Sequence, residues 1–182
     1  MKSGARIVAI EGAPFVKSEK KALAVGVIVR QGVVEGVISF YVSVDGSDAI
    51  DEIAKHIESS RFKDQLKLIA LNGITIAGLN IIDIFDLSKK TGMPVVAITR
   101  RKPHVTLLKR AIKSSGINVK EKLKIIQKIS SIKAARIGSF YVQPCGIQEA
   151  EFKDKIGMSV EALRLAHIIA SGISRGESKG RI

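Results

Sequence analysis

LKLIALNGITIAGLNIID, residues 66–83, decides the fold. Leu68-Ile69-Ala70-Leu71 is a short apolar run bounded by charge on one side and by Asn72-Gly73 on the other, the pattern of a strand buried on both faces. Gly73 and Gly78 allow a tight, close-packed turn. The spacing then predicts a helix starting at Asn80, with Ile81, Ile82, Ile84, Phe85 and Leu87 apolar. In open α/β sheets ligands sit beyond the carboxyl ends of such strands, so Asn72 stands where chemistry is expected. Asn80, Asp83 and Asp86 recur every third residue and form one stripe of that helix, read as a solvated face ahead of a ligand shell.

Before this stretch, residues 5–11 read as a strand ending in a carboxylate, Glu11, ahead of a Gly12-Ala13-Pro14 break. Residues 21–30 and 33–44 make two further strands joined as a hairpin through Gln31-Gly32, with Gly26 and Gly36 marking bulges or close backbone approach. Asp45-Gly46 ends the third strand, and Ser47 or Asp48 caps a helix with Ile50, Ile53, Ala54 and Ile57 on its apolar face. Asp45 and Asp48 thus straddle a strand-to-helix corner.

After it, residues 93–99 form another apolar strand that ends in Arg100-Arg101-Lys102-Pro103. Two helices follow, roughly 104–114 and 119–130, each with one buried stripe and lysines outside. A strand near 139–143 and a short polar helix precede a helix over 159–173, apolar nearly all round except for a stripe of Glu161, Arg164, His167 and Ser171. Residues 174–182 are expected to be a mobile tail. Hairpin first and parallel crossovers afterwards predict a mixed five-stranded sheet with helices on both faces, a ribonuclease H-like α/β layout.

A chain of 182 residues suits one domain. Its longest apolar run, 22–29, is strand-sized, so no membrane span is expected, and the amino terminus lacks the order of a secretory signal. The expected location is the cytoplasm. Cys145 has no cysteine or histidine at metal-ligand spacing and reads as a small apolar residue by a turn. The Gly73 to Gly78 spacing lacks the Lys-Ser/Thr of a phosphate loop, which excludes nucleotide triphosphate hydrolysis.

Charge is the loudest feature of the composition, with 30 basic against 17 acidic residues and a formal +13. Residues 100–136 hold twelve Lys or Arg and one acid, Glu121, a local excess of +11. Such a concentration attracts polyanions, with nucleic acid the usual partner. Lysine-rich amphipathic helices also serve as solubilising surfaces, and aromatics for base stacking make up only 4% of this chain.

In this layout Glu11 and Asn72 end neighbouring central strands at the same edge of the sheet, and Asp45 or Asp48 closes a triangle. Clustered oxygen ligands are what magnesium needs to orient a water and steady a phosphate under in-line attack. Here one corner is an amide.

Ala9-Ile-Glu-Gly-Ala-Pro-Phe15, Val44-Asp-Gly-Ser-Asp-Ala49, Leu71-Asn-Gly-Ile-Thr-Ile-Ala-Gly-Leu-Asn80 and Glu161-Ala-Leu-Arg-Leu-Ala-His167 with Gly176-Glu-Ser-Lys-Gly-Arg181 together resemble an uncharacterised, mainly archaeal family related to endonuclease V. The resemblance covers nearly the whole chain. It implies a magnesium-dependent, ribonuclease H-like nuclease, with manganese as a substitute ion, acting on DNA or RNA near deaminated purines such as inosine. By that likeness Glu11 matches the first-strand aspartate, Asn72 the aspartate of an Asp-Gly pair, Arg100 a strand-ending lysine, and His167 a helical histidine. The middle carboxylate aligns to Asp45 or Asp48. The expected metal ligands are Glu11, Asp45 and Asn72; the expected substrate contacts are Arg100, by that likeness, Lys109, Arg110 and Lys113, from the basic segment, and Arg164. The chain departs from the pattern at four points: Glu11 is longer than aspartate, Asn72 is neutral, Gly12 stands where the closer family usually shows a second acid, and nothing aromatic between Gln31 and Gly36 replaces the wedge with which endonuclease V opens a duplex. Two classes therefore stay open, a metal-dependent endonuclease with an altered site and a non-catalytic nucleic-acid-binding or partner-binding protein.

Overall fold

The computed structural model describes residues 4–178. Three strands come first, β1 (Arg6–Gly12), β2 (Lys21–Arg30) and β3 (Val33–Ser43), then α1 (Ala49–Glu58) and β4 (Leu66–Asn72). A small hairpin of β5 (Thr75–Ile76) and β6 (Asn80–Ile81) leads to α2 (Ile84–Thr91) and β7 (Val95–Thr99). The remainder is α3 (Val105–Ser115), α4 (Val119–Ile129), β8 (Ala135–Ile137), β9 (Phe140–Cys145), α5 (Glu149–Lys153) and α6 (Ile156–Arg175).

The sheet has seven strands in the order β3-β2-β1-β4-β7-β9-β8, not five. β8 is only three residues long and carries no periodicity, and β9 lies antiparallel between it and β7. β1, β4 and β7 run parallel at the centre. Leu68, Ile69, Ala70 and Leu71 are all buried, with Leu68, Ile69 and Leu71 each contributing about 1.5–3 kcal/mol for leaving water. Alternation splits the core into two layers. Ile69 and Leu71 of β4 pack with α1, α2 and α4 on one face. Leu68 and Ala70 pack with Ile7 and Ala9 of β1 and with Ala162, Ala166 and Ala170 of α6 on the other. α6 is long and apolar enough by length and composition to cross a membrane; here its alanine face covers β1 and β2.

β2 and β3 turn through Gln31 (φ 50°) and Gly32 (φ 82°), a two-residue loop with both residues left-handed, as the strand twist favours. A Cβ at Gly26 would come within 2.7 Å of Ile38, so that glycine marks close approach; the bulge lies instead near Glu35, where the register shifts.

Residues 75–83 differ from expectation. Asn80 belongs to β6 and is wholly buried, and the helix starts at Ile84 with Asp83 as its cap, its Oδ1 accepting from Phe85 N at 2.9 Å. Asn80, Asp83 and Asp86 therefore form no common stripe. On α4, Lys122 is inside rather than outside: it is 2% exposed and its Nζ donates to the Asp45 carbonyl at 2.6 Å. Ser174 and Arg175 continue α6 instead of starting a tail, and residues 179–182 lie outside the described residues.

Candidate active site

Strand ends build the site. Ile10 pairs with Leu71 in the parallel register, so the next residues, Glu11 and Asn72, sit side by side where β1 and β4 finish. Both share the parity of Ala9 and Ala70, and both side chains therefore face the α6 layer. β7 adds the third position: Val96 and Ile98 face α6, and Arg100 follows them in the same sense. Asn72, Arg100 and Phe140 line one crevice with Val160 and Leu163 of α6. His167 follows Val160 and Leu163 at helical spacing on that flank, half-buried, with Nε2 at 3.4 Å from Ser171 Oγ. The Arg100 guanidinium lies 5.7 Å from the centre of the Phe140 ring, a cation–π contact that holds an otherwise exposed side chain near the crevice.

Glu11 is the electrostatically unusual member. Burial pushes its pKa up from the ordinary 4.5 to about 7, against hydrogen bonds from the Asn72 side chain and the Gly12 backbone that pull it down. Its Oε2 is enclosed and has no hydrogen-bond partner. A buried carboxylate oxygen without a donor is costly, and a proton or a cation is what relieves it.

Asp45 and Asp48 do not join this pair. Asp45 has turned into a left-handed conformation (φ 54°), its Oδ1 accepts from Leu79 N at 2.7 Å, and its N–H donates to Ala77 O at 2.9 Å. Asp48 accepts from Ser43 N, Ser43 Oγ at 2.7 Å and Asn80 Nδ2 at 2.7 Å. Burial pushes the Asp48 carboxyl up, and the bonds from Ser43 and Asn80 outweigh it and leave it below its ordinary value. Asp48 stands at the N-cap of α1 without capping it through its side chain. Both acids thus tie β3, the β5–β6 hairpin and α1 together in the layer opposite α6. Among the described residues no group of three His, Cys, Asp or Glu could hold a metal ion.

A metal at this end of the sheet would have Glu11 Oε2 and the Asn72 amide as its protein oxygens. That set fits magnesium or manganese in one respect only, since such ions keep several waters and take one or two carboxylates together with substrate phosphates. The free Oε2 supports the fit, and the neutral amide weakens attraction in the absence of substrate.

On the other side of Asn72 is a cavity of about 230 Å³. Its walls are largely apolar, Ile74, Leu108, Ile126 and Ile129, with His104 and Gln143 among the polar groups. Gln143 Nε2 donates to the carbonyls of Ile129 and Ile132, at 3.4 and 3.1 Å, fixing the end of α4 over the cavity. Sequence reasoning missed this lining, because Thr75, His104 and Gln143 come from three separate elements. Lys122 was more legible: it occupies an apolar position in the 119, 122, 126, 129 stripe of α4.

The basic segment remains exposed apart from Lys122 and Lys109. Arg110 and Lys113 project from α3 into solvent and Lys109 is half-buried. Lys128 is engaged by Asp83 at 2.7 Å. Arg164 is exposed on α6 and paired with Glu161 at 2.8 and 2.5 Å. The stripe from Glu161 to Ser171 is therefore split, exposed at its start and buried at Ser171.

Residues 3–174 match the sequence model of a family described as "Endonuclease dU". A UPF0215 protein of Methanothermobacter thermautotrophicus is 37% identical over 99% of this chain and 93% of its own length. A crystal structure of a protein of unknown function from Archaeoglobus fulgidus superposes with a TM-score of 0.84 at 31% identity, covering 93% of this chain and 98% of the other. Endonuclease V of Ciona intestinalis, in complex with a 24mer DNA containing an inosine followed by a ribo-adenosine, superposes with a TM-score of 0.55 at 10% identity over 90% of this chain and 82% of that one. That last likeness is one of fold, and it agrees with the ribonuclease H-like layout.

Proposed function

This chain belongs to the endonuclease dU family, and on that premise we propose that it cuts nucleic acid at or near a deaminated base, using Glu11 and Asn72 to recruit a divalent cation together with the substrate phosphate. The observation that carries the reading is the enclosed, unpartnered Glu11 Oε2 beside Asn72 at the carboxyl ends of two parallel central strands. When bound, the ion orients a water and offsets the charge that builds on the phosphate. Glu11 must be ionised to serve it, so with its ion-free pKa raised by burial to about 7 a proton competes with the cation for the carboxylate as pH falls. Arg100 offers a planar, doubly donating group to a phosphate oxygen pair. His167, on the flank of α6 that lines the crevice, holds or passes a proton at its ring nitrogens. The 230 Å³ cavity beside Asn72 accepts one unstacked base between apolar walls, with His104 and Gln143 near its edges. The exposed lysines and arginines of α3 track the backbone.

The neutral Asn72 and the inward bonding of Asp45 and Asp48 favour a second reading, a protein that binds such nucleic acid without cutting it. A cleavage assay separates the two. Labelled single strands of DNA and RNA, each with one deoxyuridine or one inosine, are incubated with the protein and Mn²⁺ or Mg²⁺ at pH 8. The proposal expects one discrete product near the altered base from the native chain and none from Glu11→Gln. Intact strands in every condition overturn the cutting role and leave binding.

A further inference from the structure

β3 is one edge of the sheet, and one of its faces lacks cover. Ile38, Phe40 and Val42 pack beneath α1 with Ile53 and Ile57, so by strand alternation Val37, Ser39 and Tyr41 face the other way. There they lie beside Val27, Val25 and Leu23 of β2, which α6 covers. The cover does not extend to β3, because Val37 is 48% and Tyr41 58% exposed. The neighbouring flank of α6 is apolar too, with the Glu161–Arg164 pair at its outer rim. Gly32 N–H meets Met158 Sδ at 3.4 Å, which turns Met158, and with it Leu165 and Ile169 at helical spacing, toward β3. An apolar valley therefore runs between this strand and α6.

Charge narrows what can fill it. The chain carries +13, yet residues 31–43 contain no Lys or Arg. Their one acid, Glu35, is held by Arg6 Nε at 2.5 Å and Arg30 Nε at 2.6 Å. Neither a polyanion nor an acidic protein finds a countercharge along this edge. A second copy of the chain, repelled by its own cations elsewhere, meets none here. Edge strands are ordinarily guarded by lysine, proline or a bulge. The bulge at Glu35 guards the start of β3, its end is closed at Ser43, whose N–H donates to Asp48 and whose carbonyl accepts from the Asn80 amide, and residues 36–42 between them carry no such device.

We propose that two copies of this chain pair along that edge, β3 against β3 and antiparallel, across a twofold axis near Ser39. The sheet then continues through both subunits, and Val37 of each lies against Tyr41 of the other, an aromatic–β-branched cross-strand pair. Seven residues of strand span about 23 Å. With a valley two sheet spacings wide, each about 10 Å, the contact covers roughly 450–500 Å² per copy, just below the usual size of a specific, stable interface, which predicts a weak, reversible dimer. Because the paired strands oppose each other, the two crevices open at opposite ends and neither is covered.

Sedimentation equilibrium of the full chain from about 1 to about 200 μM tests this. The weight-average mass is expected to rise with concentration from 19.6 kDa toward twice that value. The double substitution Val37→Lys with Tyr41→Lys should hold the mass at 19.6 kDa throughout, with the far-UV circular dichroism unchanged. Should that variant fail to fold, Ser39→Cys in a Cys145→Ala background carries the test, since oxidation should link two chains across the axis. A native chain that stays monomeric at the highest concentration, a dimer indifferent to the double substitution, or a Ser39→Cys protein that forms no cross-link would each overturn the proposal; the second would point to a different interface.

Discussion

Replacing Glu11 with glutamine should make the protein more stable at neutral pH while removing its function. The native carboxyl has its pKa raised from 4.5 to about 7 by burial. The folded chain therefore binds more protons than the unfolded one between those two values. The stabilisation this brings is fully present below pH 4.5 and is lost as pH rises through 7. The displacement corresponds to about 3 kcal/mol, lost mostly by pH 7 and fully above it. Glutamine keeps the shape and hydrogen-bonding reach of the side chain and does not titrate. At pH 8 the Glu11→Gln protein should thus exceed the native one by up to about 3 kcal/mol, or roughly 6–12 °C in Tm for a chain of this size. The assay is thermal and urea unfolding of both proteins from pH 4 to 9, taking the difference at each pH so that all other groups cancel. Added Mn²⁺ at pH 8 should return part of the loss to the native protein and none to the variant. A difference that stays flat across the range would refute the claim that burial destabilises the Glu11 carboxylate.

Two further outcomes follow from the geometry. Nucleic-acid binding should weaken steeply with added salt and show little sequence preference outside the altered base, and changing Lys109, Arg110 and Lys113 together to glutamate should abolish it; retained binding in a filter or fluorescence titration would return that face to a solubilising role. Asn72 should remain an amide despite preceding Gly73, because Gly73 N–H is engaged by Ile98 O at 2.9 Å and is not free to attack the side chain. Peptide mass spectrometry after a week at 37 °C should show no added dalton at Asn72, and a deamidated fraction rising with time would show that this strand end opens.

Glu11 and Asn72 were legible in the sequence because each ends an uninterrupted apolar run, and a strand buried on both faces can stop only where polar groups begin. The parallel register that sets them side by side follows from the crossover between them. Residues 75–83 were harder to read. Their apolar residues do not alternate, so nothing distinguishes the β5–β6 hairpin from the first turn of a helix, and the pairing of Ile76 with Asn80 is a tertiary fact. The same hairpin decides the fate of Asp45 and Asp48. Local spacing placed both acids at the correct end of the sheet, but which layer they enter depends on Leu79, Asn80 and Lys122, residues distant in sequence from that corner. Lys122 shows the signal that could have been used: a lysine on the apolar stripe of a short helix needs an acceptor inside the protein. β8 was invisible because three residues hold too little pattern.

The central claim, that Glu11 and Asn72 form a cation site lacking one charge, is tested most directly by calorimetric titration of Mn²⁺ into the Asn72→Asp protein beside the native one. The measurement belongs at pH 8 or above, because a second carboxylate raises the pKa of Glu11 further when no ion is bound. A carboxylate in a partly dry crevice attracts a divalent ion far more than an amide oxygen does. The account predicts one ion per chain, bound at least about tenfold more tightly than by the native protein, a gain of about 1.4 kcal/mol, and lost again when Glu11→Gln is added. Unchanged affinity, or no heat in either protein while the fold is intact, would contradict it.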